Sequence, residues 1–110
     1  MSNLLSLDPA AFARTLEAPP KGLLVLFSTP WCAPCKTYKP IVERVVASSE
    51  GKLELLLVNA DTSADLATHY RVRSVPTLLC FADGELAGTQ SGSMMEPQLR
   101  NVLRNIGLPA

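Results

Sequence analysis

A run of apolar residues without alternation, residues 23–27, is the feature that most restricts the fold. A half-exposed strand alternates apolar and polar side chains, so an unbroken apolar run of this length is typical of a strand buried on both faces. Trp31, Cys32 and Cys35 follow within a few residues, and a helical pattern then continues to about Ser48. We therefore predict a central strand that leads directly into a helix, with two cysteines at the junction.

The middle of the chain continues this alternation. Residues 53–58 predict a second buried strand and residues 64–70 a short helix. Residues 77–81 and 86–90 predict a hairpin, because an Asp-Gly turn separates them. A strand, a helix and another strand in this order predict a right-handed crossover with parallel pairing.

The two ends of the chain complete the predicted layout. Residues 3–7 suggest a short edge strand, and Asp8 with Pro9 predicts the start of a helix. A final helix is expected to begin either at a capping box on Ser93 or nearer Glu96. A chain of 110 residues is enough for one domain. We predict a single domain over residues 1–110, of the α/β class, with a central mixed sheet of four to five strands and helices on both faces.

The two cysteines of the junction have the spacing of a redox pair. At the start of a helix, Cys32 and Cys35 lie close enough to form a disulfide, and the partial positive charge of the helix end favours a thiolate. Lys36 adds a nearby cation, and Cys32, at the extreme helix end, is expected to expose its sulfur. The alternatives are a purely structural disulfide and a zinc half-site, for which Cys80 and His69 are the remaining ligands. We expect no metal.

The stretch from Trp31 to Lys36, followed downstream by Pro76 and Thr77, resembles the thioredoxin family. The resemblance covers nearly the whole chain and also includes Phe27, Pro40, Asn59, Asp61, Phe81, Gly84 and Gly92. It implies the thioredoxin fold and thiol–disulfide exchange, in which Cys32 is the nucleophile and Cys35 the resolving thiol.

The resemblance also implies how a substrate binds. Pro76 is expected to follow a cis peptide bond and to face the redox pair, and the backbone of Val75 is expected to pair with an extended substrate. Trp31 is expected to be a partly exposed contact surface. A flat apolar rim is then formed by Trp31, Ala33, Pro34, Val75, Pro76 and Gly92.

The sequence departs from the family pattern beneath this site. Many thioredoxins carry a buried Asp and Lys where this chain has Leu26 and Leu57, and an aromatic residue where it has Ser28. Ala33 replaces the usual Gly. Because two buried charges carry a desolvation cost, the leucines are expected to raise stability. The lost carboxylate is expected to slow release of a mixed disulfide.

Composition limits the remaining possibilities. Lys plus Arg equals Asp plus Glu, ten each, so neither a nucleic-acid partner nor a charged tail is expected. The third cysteine, Cys80, lies in an apolar strand and is expected to be a buried small hydrophobe. Tyr38 is expected to face solvent. Cys80 has no cysteine partner left once Cys32 and Cys35 are paired, which fits a reducing compartment. Together with the lack of a signal-like or membrane-spanning segment, this predicts a cytoplasmic protein.

The sequence therefore predicts a protein-disulfide reductase that carries electrons to disulfide-bearing proteins. It needs no bound cofactor, since the dithiol is the redox group, and it is expected to be a monomer. The resemblance implies an NADPH-dependent flavin thioredoxin reductase as electron donor. A disulfide oxidase or isomerase, and a binding module with incidental thiols, remain the alternatives.

Overall fold

Residues 4–110, which the computed structural model describes, fold into helices packed on both sides of one mixed sheet. The elements in chain order are α1 (Pro9–Thr15), β1 (Gly22–Ser28), α2 (Ala33–Ala47), β2 (Leu53–Asn59), α3 (Ala64–His69), β3 (Thr77–Ala82), β4 (Glu85–Ser91) and α4 (Glu96–Asn105).

The sheet has the order β2-β1-β3-β4. Strand β1 pairs in parallel with β2 and antiparallel with β3, and β3 pairs antiparallel with β4. The predicted α/β class with a mixed sheet is confirmed, with four strands. Every residue of β1 is buried, as the unalternating apolar run predicts for a strand with a neighbour on each side.

Successive residues of β1 point into two separate cores. Leu24 and Leu26 pack with apolar residues of α2 and α4. Leu23, Val25 and Phe27 pack on the opposite face, with apolar residues of α1 and α3. Because side chains alternate across a strand, one continuous apolar run supplies both layers. The helix α2, which begins at the redox cysteines, is therefore anchored on the face that holds Leu26.

Strand β2 is less buried than predicted. Leu53 and Val58 are buried, whereas Leu55, Leu56 and Leu57 are half-buried. The physical reason is the position of β2 at the end of the sheet, where no full strand covers its outer side.

The edge strand predicted for residues 3–7 is reduced to one bridge, and Asn3 lies outside the described residues. Leu5 pairs in parallel with Val58. The Leu5 N–H donates to the carbonyl oxygen of Leu57, and the Asn59 N–H donates to that of Leu5, each over 2.8 Å. A bridge of a single residue is too short to count as a strand.

The helix ends follow local chemistry. Asp8 caps α1, with its Oδ1 accepting from the Ala11 N–H over 2.7 Å. The start of α4 near Glu96 is confirmed, and the alternative capping box at Ser93 is wrong: Met95 is the N-cap, and the Gln98 side chain accepts from its N–H over 3.1 Å. Among residues 4–110, none of the helices combines the length and hydrophobicity that crossing a bilayer requires.

Candidate active site

Cys32 and Cys35 form a disulfide at the N-terminus of α2. Their Cα atoms lie 5.3 Å apart. Cys32 is the N-cap residue, and its Sγ accepts from the Cys35 N–H over 3.3 Å. The Cys35 N–H, which has no acceptor within the helix, thus points at Cys32 Sγ and favours negative charge on that atom.

The disulfide is well covered in this oxidised state. Cys32 is 5% exposed and Cys35 is 2% exposed. The inward position predicted for Cys35 is confirmed, but Cys32 is more buried than predicted. The loop that carries Val75 accounts for part of this cover, since the Val75 carbonyl oxygen lies 3.9 Å from Cys32 Sγ.

The Val75–Pro76 peptide bond is cis, as the resemblance implies. Pro76 is buried and Val75 half-buried beside the first sulfur. The Gly92 N–H donates to the Pro76 carbonyl oxygen over 2.8 Å, which ties the loop after β4 to this segment. Gly92 has φ +82° and open space where a Cβ would stand. A side chain there would meet no steric obstacle, but it would force a non-glycine residue into an unfavourable backbone conformation.

Trp31 projects from the loop before α2, and 69% of it is exposed. Its indole Nε1–H donates to Asp61 Oδ2 over 2.9 Å. Asp61 lies in the turn after β2, where the Asn59 side chain accepts from the Asp61 N–H over 2.9 Å. The exposed ring is therefore held in one orientation. Sequence reasoning identified Asp61 only by its family-like position, because nothing local in the sequence connects it to Trp31.

A groove of about 530 Å³ runs from Trp31 to Val75. Its floor includes Ala60, Ala67 and Val72, so apolar surface continues away from the disulfide. Ala33 and Pro34 are exposed on the first turn of α2, and they do not line this groove. The structure thus places Val75 against the first sulfur, with Trp31 preceding Cys32 in the chain and Gly92 hydrogen-bonded to Pro76.

The remaining candidate metal ligands lie apart from the pair and from each other. Cys80 is buried in the core beneath α2 and α4. His69 ends α3, the helix that packs on the opposite face of the sheet. Within residues 4–110, no three side chains of His, Cys, Asp or Glu come together as a metal site.

The positions that depart from the family pattern lie directly beneath α2. Leu26 is fully buried and pairs in register with Leu57 on one side and Leu78 on the other. Leu57 is half-buried against the same core. Leu26 and Leu57 are therefore apolar neighbours in the core beneath α2, where many thioredoxins carry the charged pair.

Tyr38 and Cys80 are buried in the same core. The prediction that Tyr38 faces solvent is wrong, because its side chain points from α2 into the sheet and is 0% exposed. Its hydroxyl finds no hydrogen-bond partner among the described residues. Burial, together with the nearby Cys80, raises the pKa of Tyr38. Burial raises the pKa of the Cys80 thiol to about 12, as expected for an inert core cysteine.

Comparison with known proteins agrees with this geometry. Residues 3–105 match the family model named Thioredoxin. The chain is 31% identical over 103 residues to a thioredoxin of Haemophilus influenzae, covering 94% of this chain and 96% of that protein. It is 34% identical over 100 residues to a thioredoxin of Buchnera aphidicola, covering 91% and 92% respectively. A thioredoxin 1 of Synechococcus elongatus is 31% identical over 103 residues. With the cysteine pair at the expected place, this chain belongs to the thioredoxin family and is a thiol–disulfide oxidoreductase.

Proposed function

We propose that this protein reduces disulfides in other proteins, with Cys32 and Cys35 as the electron-carrying dithiol. The observation that carries the proposal is the position of Cys32 Sγ. It accepts from a helix N–H that favours the thiolate and lies 3.9 Å from the carbonyl oxygen of Val75, and the exposed Trp31 directly precedes Cys32 in the chain. That arrangement suits a sulfur that meets an extended polypeptide.

The reaction has two exchange steps. The Cys32 thiolate attacks one sulfur of a substrate disulfide, which forms a mixed disulfide and releases the other substrate sulfur as a thiolate that takes up a proton. Cys35 then loses its proton and attacks Cys32 Sγ. The second substrate sulfur leaves as a thiolate, and the Cys32–Cys35 disulfide forms. Two electrons pass from the dithiol to the substrate.

We infer that substrate is held mainly through its backbone. Val75 offers its carbonyl beside the reacting sulfur, in the way that an added strand is recognised. Ala33, Pro34, Pro76 and Gly92 provide a surface with little side-chain bulk around it. Trp31, fixed by Asp61, supports the proposal of an aromatic contact.

The proposed partners are disulfide-bearing proteins on one side and an NADPH-dependent flavin thioredoxin reductase on the other. The family resemblance supports this donor, because a dithiol that has been oxidised must be reduced again in each cycle. We propose that the protein works as a monomer in the cytoplasm, without a bound cofactor of its own. The unpaired Cys80 is compatible with a reducing compartment.

Two alternatives predict different measurements. A disulfide oxidase or isomerase uses the same cysteines with a less reducing potential. A binding module would use the fold alone. The groove favours catalysis on proteins, because it is lined by Val75, whose carbonyl oxygen lies 3.9 Å from Cys32 Sγ, and by Trp31, which directly precedes Cys32.

The test is reduction of insulin by the protein with dithiothreitol as electron source. Cys32→Ser should abolish turnover, whereas Cys35→Ser, reduced and then freed of dithiothreitol, should react once with insulin and remain bound to it as a mixed disulfide. Cys80→Ser is the matched control, because it removes a thiol from outside the site. Normal turnover by Cys35→Ser would contradict the assigned roles. The reduction potential, measured against glutathione, separates a reductase from an oxidase.

A further inference from the structure

A second cavity lies beside the resolving cysteine and away from the substrate groove. It has a volume of about 390 Å³ and is lined by Ser28, Cys35, Lys36, Lys39 and Asn59, among others. Cys32 does not line it. Its lining is about equally polar and apolar, and the cavity is large enough for several water molecules, which need polar partners of the kind that Ser28 and Asn59 offer. We name it the Cys35 cavity.

Ser28 keeps the Cys35 cavity open. Ser28 and Leu26 lie two residues apart on β1, so their side chains leave the same face of the sheet, the face covered by α2. Ser28 is short, and a larger side chain at this position would occupy the cavity that it lines. Leu26 is sealed in the apolar core. Solvent can therefore approach Cys35 past Ser28, whereas the core beneath is closed by buried side chains, Leu26, Tyr38 and Cys80 among them.

The second exchange step makes a demand that this cavity can meet. Cys35 must lose a proton before it attacks, and it is only 2% exposed. No carboxylate side chain is among the residues, within the described part of the chain, that line the Cys35 cavity. A thiol in that position needs solvent or a dissolved base to take its proton.

We propose that the Cys35 cavity is the route by which the proton of Cys35 reaches solvent during release of the mixed disulfide. The proposal depends on the resolving role assigned to Cys35 above. The S–H proton passes to a water molecule in the cavity and on to bulk solvent. The resulting thiolate attacks Cys32 Sγ, the bond from Cys32 to the substrate breaks, and the substrate leaves as a thiolate.

The charges around the cavity favour this step. Lys36 and Lys39 lie on its rim, and a cation near the sulfur favours the thiolate over the thiol. Lys39 also pairs with Glu43, whose Oε2 lies 3.2 Å from its Nζ, so Lys36 carries the less compensated charge. The side chains that β1 and β2 contribute to the cavity lining, Ser28 and Asn59, are uncharged. The pH dependence of release is therefore set by Cys35 under the influence of these two lysines.

The step can be isolated with an aromatic disulfide, bis(carboxynitrophenyl) disulfide, whose thiolate product is yellow. Attack by Cys32 gives a first phase that depends on reagent concentration. Attack by Cys35 gives a second phase that does not, because it is intramolecular. This leaving group needs no proton, so the second phase reports on Cys35. A missing first phase would contradict the proposed function, whereas the second phase alone tests the cavity.

The decisive variants are Ser28→Trp, which fills the cavity, and Ser28→Ala, which removes the hydroxyl but leaves the space. Ser28→Trp should slow the second phase by roughly a hundredfold near neutral pH, the lower end of what a proton-transfer partner contributes. Its pH profile should move to higher pH, and its first phase should be unchanged. Ser28→Ala should retain the second phase of the unmodified protein. Equal second phases and pH profiles in Ser28→Trp and Ser28→Ala would overturn the proposal.

A measurement on the unmodified protein covers the possibility that Ser28→Trp does not fold. At constant pH and ionic strength, inorganic phosphate should accelerate the second phase in proportion to its concentration, because an anionic base can enter between the two lysines. The first phase should not change. A second phase independent of phosphate would contradict a cavity that delivers the proton to solvent.

Discussion

Replacing Leu26 by aspartate tests the energetics of the apolar pair beneath the redox site. Leu26 is 0% exposed and packs between Leu57 and Leu78. Loss of a buried leucine costs about 2–5 kcal/mol, and an unpaired buried carboxyl adds about 1–3 kcal/mol. The smaller aspartate refills part of the space. We expect Leu26→Asp to lower the free energy of unfolding by roughly 3–6 kcal/mol, a large share of a typical domain's stability.

The destabilisation should depend on pH with a defined sign. Burial raises the pKa of a carboxyl, so the folded variant would hold a proton that the unfolded chain has already lost. Stability must then fall as the pH rises from the unfolded value of about 4 toward the raised folded value. The Leu57→Lys change should recover part of the loss by supplying a cation in register.

Urea unfolding of Leu26→Asp, with and without Leu57→Lys, at mildly acidic and neutral pH measures these effects. The same variant should accelerate the second phase of the aromatic disulfide reaction, because it supplies a base beneath α2. In Leu26→Asp/Ser28→Trp, that internal base should restore much of the second phase lost by filling the cavity. A variant as stable as the parent, and no faster, would show that position 26 does not face the space beneath Cys35.

Three further predictions concern buried groups and the exposed ring. Cys80→Ala should cost about 1 kcal/mol and leave insulin reduction intact. Burial raises the pKa of Cys80 in the folded protein from 9.0 to about 12, so its contribution to stability should be present below pH 9 and lost as the pH rises from 9 to 12. Urea unfolding at alkaline pH should show this loss for the parent protein and not for Cys80→Ala. Tyr38→Phe should keep or raise the unfolding free energy, since the lost hydroxyl has no partner among the described residues; a loss above about 1 kcal/mol would reveal a hydrogen bond. Asp61→Ala should free the Trp31 ring and raise KM for insulin more than it lowers kcat. The structural readout is the fluorescence anisotropy of Trp31, which should decay faster when the ring is mobile.

The parts of the fold that were predictable are those written in local patterns. The apolar run of residues 23–27 predicted a strand between two neighbours, and β1 is buried along its whole length. Asp8 and Pro9 predicted the start of α1. The cysteine spacing predicted a redox pair at the start of α2, whereas the place of Val75 and Pro76 beside that pair, like the cis bond, came from the family resemblance.

The failures concern facts that only the assembled fold decides. Tyr38 was expected to face solvent, yet its place on α2 directs it into the core. The apolar sequence of residues 53–58 gave no sign that β2 lies at an edge. The bond from Trp31 to Asp61 joins positions thirty residues apart. Likewise, the cavity beside Cys35 depends on what surrounds Ser28, which no local pattern contains.

The single bridge at Leu5 has a consequence for aggregation. A sheet edge with unpaired backbone groups is a template on which another chain can add a strand. Leu5 occupies two backbone groups of β2, the strand at one end of the sheet. Truncating the chain before Ser6 would free them at an edge that already carries the half-buried leucines of residues 55–57. Variants that shorten or replace the N-terminal segment should therefore lose solubility, and the freed edge lies at the same end of the sheet as the redox cysteines, since Val58 is in register with Phe27.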